Sequence, residues 1–111
     1  MTDDAASSGD NAGADVPSSP SGAVTREIPI INKRGLHARA SAKFVKMVEQ
    51  FDAEVQVTRG GETVGGTSIM GLMMLAAGIG TTILISAKGR EAETALNAVV
   101  DLVTNKFGEE E

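Results

Sequence analysis

The chain has 111 residues, no cysteine and one histidine, which fits a single domain with a modest core. These counts exclude a disulfide framework, a thiolate metal site and a multi-histidine metal site, and the carboxylates show no cluster at ligand spacing. The net charge of −5 is uneven, since residues 1–23 hold four acids and no base, the chain ends Glu109 to Glu111, and the remainder stands at +2.

Residues 1–23 are rich in Asp, Ser, Gly, Ala and Pro, a composition expected to give a flexible acidic tail. They have neither the basic start nor the apolar centre of a signal peptide. The folded domain is expected over 24–111. Val24 to Ile31 reads as a strand, with Val24, Ile28 and Ile30 on one face and Pro29 confining it to a sheet edge. Asn32 to Gly35 is a polar turn. Ala38 to Phe51 takes the helical period, with Ala40, Phe44, Val48 and Phe51 on one stripe and Lys43, Lys46 and Glu49 facing away. Phe51 is expected in the core.

Glu54 to Thr58 alternates as a strand, Arg59-Gly60-Gly61-Glu62 is a hairpin turn, and Glu62 to Gly65 returns. Thr67 or Ser68 caps a helix over Ile69 to Ala77, with Gly78 as its stop. Thr81 to Ala87 is a fourth strand. A last helix runs from Glu91 to Phe107 on a stripe of Ala92, Leu96, Val99 and Val103, closed by Gly108. The order βαββαβα predicts an α+β fold, a four-stranded antiparallel sheet with three helices on one face and the other face open to water. The longest apolar run, Ile69 to Gly80, is twelve residues long with three glycines, too short for a membrane span.

The chemistry centres on His37. It stands where a polar turn becomes a helix, and the unpaired N–H groups of a helix start form an anion site. Lys33, Arg34, Arg39, Lys43 and Lys46 all lie within ten positions of it. A basic patch of this kind suits a phosphate or an acidic partner. Nucleic acid is not expected, because the basic residues do not stripe the chain, Tyr and Trp are absent and Phe occurs three times. A neutral imidazole is a competent phosphoryl acceptor. Backbone N–H groups of the first turn and the Arg39 guanidinium could then contact the phosphoryl oxygens. A histidine in this place also serves as a plain helix cap, and an α+β binding module with a capping His37 is the alternative from another class.

Two segments carry a family resemblance. Gly35-Leu36-His37-Ala38-Arg39, followed by a Phe44-containing helix, resembles the active-centre signature of HPr, the histidine-containing phosphocarrier family of the bacterial phosphoenolpyruvate-dependent phosphotransferase system. Thr67-Ser68-Ile69-Met70-Gly71-Leu72-Met73-Met74-Leu75 resembles that family's regulatory-serine segment. The resemblance covers roughly residues 24–107 and implies an open-faced β-sandwich. It implies that His37 accepts a phosphoryl group through Nδ1 from phospho-enzyme I and passes it to an EIIA-type domain, with Arg39 stabilising the group. It implies regulatory phosphorylation of Ser68 by an HPr kinase/phosphorylase, and partner docking on Ile69, Met70 and Met73. The expected protein is a cytoplasmic monomer that uses no cofactor or metal. It is expected to be a carrier rather than a self-sufficient enzyme, since the sequence shows no second acid or base near His37 and no P-loop. A regulatory phosphoprotein of a nitrogen- or carbon-sensing relay shares the same chemistry.

The sequence departs from the family pattern at Ala40, where a proline commonly follows the site arginine. Alanine is a strong helix former, so the turn is expected to persist. The acidic tail is additional to the family's compact domain.

Overall fold

A computed structural model describes residues 23–109. The tail expected over 1–23 lies, apart from Ala23, outside the described residues, as do Glu110 and Glu111. In chain order the elements are β1 (Val24–Pro29), α1 (Ala38–Val48), β2 (Glu54–Arg59), β3 (Glu62–Gly65), α2 (Ile69–Met74), β4 (Thr82–Lys88) and α3 (Ala92–Thr104), then a 3₁₀ turn over Lys106–Gly108.

The four strands form one antiparallel sheet in the order β1-β4-β2-β3. Ile28 lies opposite Ile83, and Val57 opposite Ile85. These four side chains are buried and floor the core. The alternate residues Glu27, Gln56 and Thr82 are exposed, so the second face of the sheet meets water. The helices cover the first face: α3 packs on β4 and β1, and α1 packs on both α3 and α2. The result is the open-faced sandwich expected from the element order. Pro29 sits on β1, an edge strand, where its missing N–H leaves no ladder bond unmade. The β2–β3 turn places Gly60 at φ 58° and Gly61 at φ 85°, the paired left-handed conformation that matches strand twist.

The ends of all three helices differ from the sequence reading, and strand ends shift by one or two residues. Helix α1 ends at Val48 rather than Phe51. Phe51 follows in a turn and is only half-buried, so Phe44, fully enclosed, is the aromatic anchor of this helix. Helix α2 ends at Met74, before Gly78, because Ala76 itself takes a left-handed φ of 54° and Arg59 donates to the Leu75 carbonyl at 3.0 Å. Helix α3 begins after Glu91, whose carboxylate accepts the Asp52 amide at 2.6 Å, and ends at Thr104. Phe107 therefore does not continue α3 but is buried in a separate left-handed turn. Lys43 differs as well. It is half-buried, and its Nζ donates to the Phe107 carbonyl at 2.7 Å.

Candidate functional site

Residues 30–37 link β1 to α1, and backbone contacts fix their path. Gly80 donates to the Ile30 carbonyl at 2.9 Å, Ile30 to the Thr81 carbonyl at 2.8 Å, and Leu36 to the Ala77 carbonyl at 3.0 Å. Gly35 turns the chain at φ 64°, and a Cβ on it would stand 2.4 Å from the Ala77 oxygen. Only glycine fits both the conformation and the space. Leu36 is buried, and its carbonyl accepts the enclosed Ser41 hydroxyl at 3.2 Å. The histidine that follows is thereby set at the start of α1.

His37 is the N-terminal boundary residue of α1, with extended backbone (φ −75°, ψ −179°), and its carbonyl accepts the first helical bond from Ser41 at 2.8 Å. The amides of Ala38, Arg39 and Ala40 precede that bond and have no intrahelical partner. The imidazole caps none of them. The plain-cap alternative therefore has no hydrogen bond behind it, and the ring is available for other work. Ala40 is fully buried in the first turn, and the helix starts at Ala38 without the proline common in this position.

What the ring does contact lies far away in sequence. Nε2 of His37 is hydrogen-bonded to Oε2 of Glu109, across 72 positions of chain. The other carboxylate oxygen, Oε1, accepts from Asn32 Nδ2 at 3.1 Å, and the same amide donates to the Gly35 carbonyl at 2.9 Å. Asn32 is completely buried. Its Oδ1 has no protein partner among the described residues, so the amide is oriented by its two donors rather than by its acceptor. Burial of the Glu109 carboxyl works to raise its pKa. The hydrogen bonds from His37 and Asn32, with the positive fields of His37 and Arg34, outweigh that and hold it below the ordinary carboxylate value.

Glu109 reaches the ring through a hook. Lys106, Phe107 and Gly108 take φ of 56°, 55° and 77° in succession. Each non-glycine residue held there costs about 1–2 kcal/mol. The Phe107 side chain, 1% exposed, anchors the hook in the core, and Lys43 grips its carbonyl. Neither Asn32 nor Glu109 was legible as a site residue. Asn32 reads as turn chemistry, and Glu109 as one member of an acidic end.

The remaining expected residues are placed around this cluster. Arg39 lies on the first turn of α1 and is exposed, as are Lys33, Arg34 and Lys46. Ser68 caps α2, its hydroxyl accepting the Gly71 amide at 2.9 Å, and it is exposed. Ile69, Met70 and Met73 are exposed on α2, while Leu72 alone of that helix is buried. Met74 and Ile79, which the sequence reading did not single out for docking, are exposed too. The Leu36–Ala77 bond sets the end of this apolar segment beside the histidine loop. Among the described residues no group of His, Asp and Glu is arranged to hold a metal ion. None of the described helices is long and apolar enough to cross a membrane.

Residues 24–105 match the family model described as the PTS HPr component phosphorylation site. This chain belongs to the HPr family. The HPr of Cupriavidus necator is 48% identical over 86 residues, covering 78% of this chain and 97% of that protein. The phosphocarrier protein NPr of Shewanella violacea is 43% identical over 84 residues, covering 76% and 92%. The crystal structure of an HPr from Thermoanaerobacter tengcongensis matches with a TM-score of 0.76 at 41% identity, covering 79% of this chain and 99% of that one. HPr proteins are phosphocarriers rather than enzymes, and their fold is the sandwich described above.

Proposed function

We propose that this chain carries a phosphoryl group on Nδ1 of His37, received from phospho-enzyme I and handed to an EIIA-type domain. The observation that carries this reading is the His37 ring itself. It stands at a helix start, caps nothing, and has Nε2 occupied by Glu109, so Nδ1 is the nitrogen left for chemistry. The uncapped amides of the first turn of α1 and the exposed Arg39 are positioned to meet phosphoryl oxygens. Basic residues at the mouth of the site favour acidic partner surfaces. Ile69, Met70 and Met73 supply an apolar docking surface, and methionine adapts to several partners.

Ser68 is a second phosphorylation site in this reading, used by an HPr kinase/phosphorylase. Its hydroxyl is exposed. A phosphate there would gain from the positive start of α2, yet add about −1.5 to −2 charge beside the apolar surface, opposing docking. The carrier works in the cytoplasm as a monomer, with the α2 surface open to its partners.

Enzyme I with phosphoenolpyruvate is expected to place acid-labile, base-stable phosphate on the protein. An unlabelled wild type, or a His37→Ala variant that labels equally well, sinks the carrier reading. The NPr relative favours a second reading with the same chemistry, a nitrogen- or carbon-sensing relay. Transfer to a regulatory EIIA in preference to a permease-linked one would select it.

A further inference from the structure

The sulfur of this chain is confined to methionine, since cysteine is absent. Of the five methionines, Met70, Met73 and Met74 fall within the six residues of α2. Met1 lies outside the described residues, and Met47 is half-buried on α1, packed against the core. The α2 methionines have the opposite environment. Met70 and Met74 are each 73% exposed, more than any other large apolar side chain among the described residues, and Met73 is 44% exposed. Leu72 alone of this helix is buried, so α2 is held to the core without the three thioethers. Four positions apart, Met70 and Met74 are neighbours on one helix face. An apolar surface does not in itself require sulfur: Ile69 and Ile79 are exposed in the same segment as plain hydrocarbon.

What distinguishes a thioether from hydrocarbon is its reactivity toward oxidants. We propose that Met70 and Met74 form a reversible oxidation site, at which a peroxide closes the α2 surface to partners by turning both thioethers into sulfoxides. The proposal rests on the carrier and docking readings above. In the step, a sulfur lone pair attacks one oxygen of hydrogen peroxide. The S–O bond forms as the O–O bond breaks, and the departing hydroxide keeps the electron pair. It takes the proton from the new S–OH group and becomes water. The sulfur is oxidised by two electrons and the peroxide is reduced by two. Each sulfoxide puts a polar S–O group where a soft apolar atom stood. A partner that dries this surface then strips water from two acceptors and returns no hydrogen bond to them. The Leu36–Ala77 bond that holds the histidine loop is untouched, because the change falls on the exposed side of α2. Reduction comes from outside the chain, which holds no thiol. Methionine sulfoxide reductases remove the oxygen as water while two thiols are oxidised to a disulfide.

The test treats the full chain with hydrogen peroxide, removes the oxidant, and locates the added oxygen by peptide mass spectrometry. Met70 and Met74 are expected to gain one oxygen each before Met47 does. The treated protein should keep its melting temperature. Its KM for transfer from phospho-enzyme I should rise by about tenfold with kcat preserved, the size of an acceptor left unpaired at an interface. Sulfoxide reductases of both epimer classes, with a thiol reductant, should restore the KM. The double variant Met70→Leu/Met74→Leu keeps an apolar surface without the sulfurs, and each protein is compared with its own untreated sample. Peroxide should leave the KM of the variant where it was. Earlier oxidation of Met47, an unaltered KM in the oxidised wild type, or an equal rise in the double variant overturns this proposal alone. An untreated wild type that takes no phosphate from phospho-enzyme I overturns the carrier reading and this proposal together.

Discussion

The amide of Leu36 donates to the carbonyl of Ala77 at 3.0 Å, joining the residue before the site histidine to the chain that leaves α2. Through this bond two segments that carry the family's motifs, 41 positions apart at these residues, share one surface. The approach is close because Gly35 has no side chain: any Cβ would meet the Ala77 oxygen and the Gly78 Cα at 2.4 and 2.8 Å.

Gly35→Ala is therefore expected to be disruptive out of proportion to its size. The left-handed backbone alone costs a non-glycine residue about 1–2 kcal/mol, and the clash with backbone adds to it. A urea unfolding series should register a loss of about 2–4 kcal/mol. Phosphoryl uptake at His37 should fall further than stability predicts, because the loop and the α2 exit separate. A variant with wild-type midpoint would mean that the Leu36–Ala77 contact is loose in solution.

Phe44 and Phe51 share a stripe on paper but not in the fold. Phe44 is enclosed, whereas Phe51 lies past the end of α1 and is half-buried. Phe44→Ala is expected to cost about 3–5 kcal/mol. Phe51→Ala should cost about 1–2 kcal/mol, in keeping with its partial burial. Equal losses in chemical denaturation would contradict this ordering.

The carboxyl of Glu109 is held below its ordinary value in the folded chain, by hydrogen bonds and positive fields that exceed the opposing effect of burial. A depressed carboxyl contributes stability above its unfolded pKa and loses it as pH falls through the folded one. Wild type should thus exceed Glu109→Gln in stability at pH 6–7. The gap should close progressively as pH falls below about 4.5, the carboxyl's unshifted value. Thermal melts of both proteins from pH 3 to 7 measure it. A gap that widens in acid would reverse the assigned sign.

How much was legible in the sequence follows from the range over which each interaction acts. The strands, helices and the Gly60-Gly61 hairpin rest on periodicity and local φ preference, and these stand in the fold where they were read. The place of His37 at the start of α1 was legible because a turn-to-helix junction is local. The helix ends were misjudged where tertiary contacts decide them. Ala76 takes the left-handed stop expected of Gly78 while Arg59 satisfies the freed Leu75 carbonyl, and Phe107 leaves α3 because Lys43 and the core hold it elsewhere. Glu109 and Asn32 were silent for the same reason. Their meeting with His37 depends on how α3 and its hook lie across β1 and α1, and no spacing in the chain encodes that.

Met70 provides the last and most direct test of the proposed docking surface. Its side chain is 73% exposed on a helix whose single buried residue is Leu72, so it contributes little to the core. Met70→Glu should shift stability by no more than about 0.5 kcal/mol. The same change puts a charge on the proposed docking surface, from which a partner would have to exclude water, and burying an unpaired charge is costly. Transfer from phospho-enzyme I is therefore expected to show a raised KM, by about tenfold, with kcat preserved, because the chemistry at His37 is untouched. A Met70→Glu protein with native melting and unaltered KM would place the partner interface away from α2.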